Sequence, residues 1–255
     1  MSDRLYDNLD ALLSRLKGYE YRLDRALPIS LILVITVRRF VWLLRGIVKC
    51  LLFQQRFVLI YMAPWTNLRN TRMVYFGRGV TLERGSIIDG LSRNGIRLGD
   101  NVVVGAYSVI RASSPCNVGE GVRIGSNSAV DAYSFIGASG FVSIGDNVIM
   151  GQHVSFHAEN HNYDRTDVPI KNQGGRRLGI VVEDDCWVGS NTTLLDGCHV
   201  GRGCVIAAGS VVKGEIPPFS IIAGIPARVL RSRRDTQAEN IDETHDLAAP
   251  PAQLK

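Results

Sequence analysis

The sequence predicts an all-β core wound as a parallel β-helix of six-residue repeats, with an N-terminal α-helical segment ahead of it and a disordered C-terminal tail behind. Three observations predict it. Val182, Val188, Leu194, Val200, Ile206 and Val212 recur at intervals of six without a miss. The residue after the aliphatic is often glycine, as in Val104-Gly105, Ile124-Gly125 and Val188-Gly189, which lets the backbone turn where a side chain would obstruct it. Four residues after the aliphatic come small or β-branched side chains, among them Ser128, Ser134, Cys186, Cys198 and Cys204. A period of six fits neither an amphipathic helix nor plain strand alternation. It fits short strands joined by turns, each strand sending one aliphatic into a prism.

The same spacing links Phe76, Leu82 and Ile88, then Leu98, Val104 and Ile110, then Val118, Ile124, Val130 and Ile136, then Ile144, Met150 and Phe156. The repeat therefore covers about residues 76 to 217. With three strands to a coil this makes roughly six coils, about 29 Å tall at the usual inter-strand spacing of about 4.8 Å. The spacing does not set the hand, and right-handed crossovers are the general preference. One large excursion interrupts the pattern between Phe156 and Val182, the polar stretch HAENHNYDRTDVPIKNQGGRRLG. Long loops on a rigid scaffold are where function is usually placed.

Ahead of the repeats, Leu5, Leu9, Leu12, Leu16, Tyr19 and Leu23 form a heptad-like seam, expected to pack either between protomers or on the β-helix. Residues 28 to 63 are strongly apolar, yet the longest uncharged run, Pro28 to Val37, is too short for the roughly 20 residues that span a bilayer. Arg38, Arg45, Lys49 and Arg56 lie on one helical line, with Trp42, Leu44, Ile47, Leu51 and Val58 on or near the opposite side. That pattern fits a helix lying in an anionic membrane interface. The alternative is a helix packed on its own β-helix with the cations in solvent. The expected organisation is a helical region over 1–70, a β-helix over 71–231 and a tail over 232–255.

Composition narrows the classes. With 45% hydrophobic residues the 255-residue chain can bury a core, and a formal charge of +5 is too modest to argue for nucleic acid. Five cysteines without a CxxC pair or a secretory signal ahead of them point to a reduced, cytoplasmic chain, free or on the inner face of the cytoplasmic membrane. Cys186, Cys198 and Cys204 share one repeat slot, which reads as packing. No GxSxG elbow, Walker loop or GxGxxG turn occurs.

The ordered series IGDNVIMG, a histidine in an excursion, CWVGSN, AAGSVV, IPP and AGIPARVLR resembles the hexapeptide-repeat acyltransferases, within them the maltose, galactoside and polysaccharide O-acetyltransferase group. The resemblance covers about residues 76 to 231. It implies a left-handed parallel β-helix, a homotrimer with active sites between subunits, acetyl-CoA as donor with no metal required, and a sugar or polysaccharide acceptor, free or lipid-linked. By position it implies His161 as the base that takes a hydroxyl proton, a role an imidazole suits. It places CoA along Ser190 and Ala208, with Arg228 and Arg231 near its phosphates, and Trp187 beside the active site. Asp131 stands where the sugar acetyltransferases carry an acceptor-binding Asn, and Lys213-Gly214 stands where a Thr-Lys is frequent; the acceptor and a Lys213 contact are thereby left open. His157 reads as a surface residue.

Two other classes compete. A zinc-dependent β-helical carbonic anhydrase would gather His153, His157, His161 and His199 around a metal. A catalytically silent scaffold would keep the hexads and lose the loop histidine and the CoA-site pattern. Transfer to an amine, or of another acyl group, stays open within the main reading.

Overall fold

A computed structural model describes residues 2–17, 20, 22–53, 58–112 and 118–235. Tyr19, Arg56, Cys116 and the tail from residue 236 lie outside the described residues, as do the side chains of Leu5 and Leu16. The core is a parallel β-solenoid of about seven turns. Its architecture agrees with the left-handed β-helix expected. The first face holds eight parallel strands, from Tyr61–Met62 to Ser220–Gly224, closed by the antiparallel strand Ala227–Ser232. The second runs over seven strands from Asn67–Arg69 to Val211–Val212, and the third over seven from Val74–Phe76 to Glu215–Ile216.

The stack thus starts one coil before Phe76, at Tyr61, inside the region expected to be helical. Met62 and Leu68 supply a hexad there, but an eight-residue step from Leu68 to Phe76 hides it. Val118, counted above as a strand aliphatic, lies in a crossover instead, and the strand that follows is Val122–Ile124.

The repeat aliphatics fill the prism. Leu82, Ile88, Val104, Ile110, Ile136, Phe156, Leu194 and Val212 are fully buried, and each such side chain contributes about 1.5–3 kcal/mol relative to exposure. Cys186, Cys198 and Cys204 are buried with them. Burial pushes the Cys198 thiol up to about 12, and the Cys204 thiol beside it, with burial, pushes Cys186 up as well.

The irregularities are not scattered. From the first face to the second, core aliphatics are six apart in every coil: 62 to 68, 82 to 88, 104 to 110, 130 to 136, 150 to 156, 188 to 194 and 206 to 212. From the second face to the third the steps are irregular, including 88 to 98, 110 to 124 and 156 to 182. All the long crossovers therefore pile up on one corner of the prism.

Within the chain, helix α1 (Ser2–Lys17) does not lay its leucine seam on the β-helix along its described length. Leu12 is exposed, and the helix is held by Tyr6, which is buried and donates its hydroxyl to the Leu27 carbonyl. Asp10 accepts from the Leu23 N–H at 2.8 Å and pairs with Arg25 at 3.0 Å, so α1 folds back on residues 22–27. Helix α2 (Ile29–Phe53) packs on the strand Tyr61–Met62. Gly46 sits so close to Ile60 that a Cβ there would collide with the Ile60 carbonyl oxygen, and Cys50 joins the core.

Candidate active site

Six of the seven residues singled out from the sequence lie on the first face or at its corner with the second. Ser190 and Ala208 occupy the same turn in successive coils, after Trp187–Val188 and after Val205–Ile206. The coils approach closely here: a Cβ on Gly189 would lie 2.5 Å from the Ala208 nitrogen, and one on Gly151 2.7 Å from the Ser190 nitrogen. Glycine is required by that contact, not by an unusual φ. The hydrogen-bond ladder through this corner uses the N–H groups of Gly189, Asn191 and Gly209, and those of Ser190 and Ala208 take no part in it. Two donors on adjacent coils are thus spaced by about 4.8 Å along an edge of the prism, which suits the repeated amides of a pantetheine arm.

Trp187 projects from the first face and is 54% exposed. Its register continues through Val205 and Ile221 to Arg231 on the closing strand, while Arg228 pairs with Ala223. Both arginines are exposed. A strip thus runs from an aromatic side chain to two guanidiniums at the C-terminal end of the stack. Asp131 lies at the same corner, two coils nearer the N-terminal end than Ser190, or roughly 10 Å. Its side chain accepts from the Ala132 N–H at 2.7 Å and is exposed.

His161 is elsewhere. It sits on a hairpin that leaves the corner between the second and third faces, where Asn160–His161 pairs antiparallel with Gly175–Arg176. The hairpin is pinned rather than loose. Glu159 and Arg177 form a largely shielded ion pair at 2.6 Å across its base. Gln173 donates to the Arg165 and Val168 carbonyls at 2.7 Å each. On the return, the Leu178 and Gly179 N–H groups both donate to Asp196 at 2.8 Å, a carboxylate buried in the next coil. The imidazole of His161 is exposed at the end of this support. Within one chain, His161 and the Ser190–Ala208 edge stand on different corners of the prism.

Asp196 and the Glu159–Arg177 pair were missed in the sequence. An Asp following a core leucine in Leu194-Leu195-Asp196-Gly197, in the coil after the excursion, was the available signal. Also missed was a stack at the first-to-second corner beside Asp131: Tyr107 on Tyr133, with centroids 5.4 Å apart, and Tyr133 on His153 at 5.2 Å. All three hold φ near +58°, in a slot filled by Gly85, Asn191 and Gly209 in other coils. A shared position three residues after the aliphatic would have revealed them.

The four histidines that might have formed a zinc site are held apart. His153 is in the Tyr stack, His157 tilts against Phe135 at 5.7 Å, His161 is on the hairpin, and His199 lies on the third face between Glu183 at 2.9 Å and Glu215 at 3.1 Å. Among the described residues, no group of three or more His, Cys, Asp or Glu is placed to hold a metal ion.

Comparison with known proteins bears on the same segments. Residues 179–214 match the bacterial transferase hexapeptide (six repeats), and residues 95–138 match the hexapeptide repeat of succinyl-transferase. A probable acetyltransferase of Mycobacterium tuberculosis is 34% identical over 96 residues, 38% of this chain and 32% of that protein. The 2,3,4,5-tetrahydropyridine-2,6-dicarboxylate N-acetyltransferase of Staphylococcus aureus is 36% identical over 58 residues, 23% of this chain and 24% of that enzyme. The chain therefore spans a third or less of the length of these curated relatives. Among solved structures, a hexapeptide-repeat-containing acetyltransferase from Vibrio cholerae aligns over 54% of this chain and 70% of its own, with 26% identity and a TM-score of 0.40. Two segments of the chain thus carry the hexapeptide repeat of bacterial transferases.

Proposed function

We propose that the chain is a CoA-dependent O-acetyltransferase that moves an acetyl group from acetyl-CoA to a hydroxyl of a sugar or surface-polysaccharide precursor, with His161 as general base. The observation that carries this reading is the strip along one edge of the prism: two N–H groups outside the ladder at Ser190 and Ala208, Trp187 beside them, and Arg228 and Arg231 at its end. Those residues fit the donor. The amides meet its pantetheine arm and the guanidiniums its phosphates. His161 accepts the proton of the acceptor hydroxyl as that oxygen attacks the thioester carbonyl carbon. Loop amides stabilise the charge gathering on the carbonyl oxygen. The carbon–sulfur bond then breaks, and the imidazolium returns its proton to the departing sulfur. Direct transfer of this kind needs no acyl-enzyme.

Because His161 and the Ser190–Ala208 edge occupy different corners, the reading places the reaction between copies of the chain, His161 of one meeting the edge of another in a homotrimer. Asp131 would accept hydrogen bonds from acceptor hydroxyls on the same edge. Thiol release from acetyl-CoA, measured against polysaccharide repeat units and lipid-linked oligosaccharides, tests donor and acceptor together; no acceptor-dependent release from any sugar would overturn the reading. Transfer to an amine is the second reading, favoured by the N-acetyltransferase among the relatives, and amino sugars in the same panel distinguish the two.

A further inference from the structure

Acyl transfer leaves an exposed apolar stripe on α2 unused. Leu33, Val37, Phe40, Leu44, Val48 and Leu51 follow spacings of 4, 3, 4, 4 and 3 along α2 and are all exposed, Leu33 at 63% and Leu51 at 69%. They form one stripe on a helix of 25 residues, about 37 Å long at about 1.5 Å per residue. The opposite face is occupied. Arg39 reaches the Thr81 hydroxyl at 3.2 Å and lies over the Tyr61 ring, Gly46 abuts Ile60, and Cys50 is buried. Trp42 and Ile47, placed with the apolar side from the sequence, are half-buried toward this docked face. Helix α2 is thus packed on one side and bare on the other, with Arg38 and Arg45 exposed along one flank of the stripe.

A second observation concerns the whole stack. Between residues 29 and 124 there are 13 Lys and Arg against 4 Asp and Glu, and between 125 and 235 there are 10 against 11. Coils stack in chain order, so this asymmetry runs along the prism axis, and the α2 end is the cationic one. No helix among the described residues is long and apolar enough to cross a membrane.

We propose that α2 and the adjoining coils form a foot that docks on an anionic lipid surface. The stripe enters the acyl boundary, Arg38 and Arg45 meet the head groups, and the β-helix stands away from the bilayer. A soluble polyanion would satisfy the charge and leave the stripe bare. A second copy would cover the stripe but bring like charge against like charge. A lipid surface answers both features. The proposal is independent of the acyl-transfer reading.

Sedimentation of the full chain with phosphatidylcholine vesicles, with and without phosphatidylglycerol, tests it. Binding is expected only with the anionic lipid and is expected to weaken as salt rises. Val37→Asp/Leu44→Asp, and separately Arg38→Glu/Arg45→Glu, should each lower the partition coefficient about tenfold or more. Circular dichroism checks that the variants fold, and Leu33→Ser/Phe40→Ser replaces the first should it fail. Indifference of the wild-type chain to anionic vesicles would overturn the proposal, as would unchanged binding of the folded apolar variants. So would a fall in oligomer mass on changing the stripe without lipid, which would mean that another copy covers it. Retention on heparin without vesicle binding would assign the charge to a polyanion instead.

Discussion

Substituting Gly189 by alanine should open the edge on which the donor is proposed to lie. The added Cβ would sit 2.5 Å from the Ala208 nitrogen and 2.8 Å from the Ile206 carbonyl oxygen, where ordinary contact begins at 3.4 Å. Both neighbours are main chain, so the strain cannot be relieved by a side-chain rotation. The coils must part locally by about 0.9 Å, the difference between these distances. That lengthens the bond from Gly189 N–H to the Ile206 carbonyl from 2.8 Å beyond hydrogen-bonding range. One lost bond at about 1 kcal/mol together with overpacking at about 1–3 kcal/mol makes a cost of about 2–4 kcal/mol. Gly209→Ala is the control: nothing lies within 4 Å of its Cβ, and its φ of +73° carries only the left-handed penalty of about 1–2 kcal/mol. Urea unfolding at equal protomer concentration measures both. If Gly189→Ala costs no more than Gly209→Ala, the close approach of the coils at this corner is not what limits the residue to glycine.

Three further outcomes are expected. His161→Ala should lower kcat about 10²- to 10⁴-fold with CoA affinity unchanged, whereas Arg228→Ala should weaken CoA and recover most of its rate at saturating donor, as steady-state kinetics with varied acetyl-CoA would show. Glu183 is held below its ordinary value of 4.5 by His199 and by the Arg202 N–H; its stabilisation is complete above that value and is lost as pH falls through the lower folded pKa. Glu183→Gln should therefore reduce stability in neutral solution and leave it unchanged in strong acid, which thermal unfolding across pH would record. Finally, His161→Ala mixed equally with Ala208→Trp and reassembled should regain about a quarter of wild-type activity, because in a cyclic trimer that fraction of interfaces joins two intact halves; activity staying at the level of the separate variants would place both halves in one chain.

The sequence shows the solenoid because its core is one-dimensional: a single aliphatic per strand at a fixed interval is enough to build a prism. What it hides depends on which face each strand joins. One eight-residue step hides the coil from Tyr61, and Val118 reads as a strand aliphatic because a crossover of irregular length places it six residues before Ile124. In α1, the leucine spacing drew attention from Tyr6, whose anchor is a carbonyl 21 residues away. The candidate site residues were legible one by one from short motifs, but their separation onto two corners was not, since it follows from counting strands around the coil. Asp196 escaped for a related reason: its partners, Leu178 and Gly179, are close only because the excursion returns onto the neighbouring coil.

That division of corners has a physical cause which bears on function. At the first-to-second corner, a Cβ on Gly105, Gly151 or Gly189 would lie 2.5–2.7 Å from a backbone nitrogen of the next coil. An inserted residue would lift every later coil out of register. The corner therefore holds a constant rise between Ser190 and Ala208, as a ligand of fixed covalent length requires. At the second-to-third corner the crossovers already leave the coil, around residues 90–95, 118–121 and 158–179, and their length costs only the slowly growing entropy of loop closure. A chain built this way can vary what approaches His161 without disturbing the edge that would hold the donor. Shortening the excursion between Asp164 and Lys171 should accordingly change acceptor preference while leaving CoA affinity and the core's unfolding midpoint where they were, whereas a single glycine inserted between Gly189 and Ser190 should lower both.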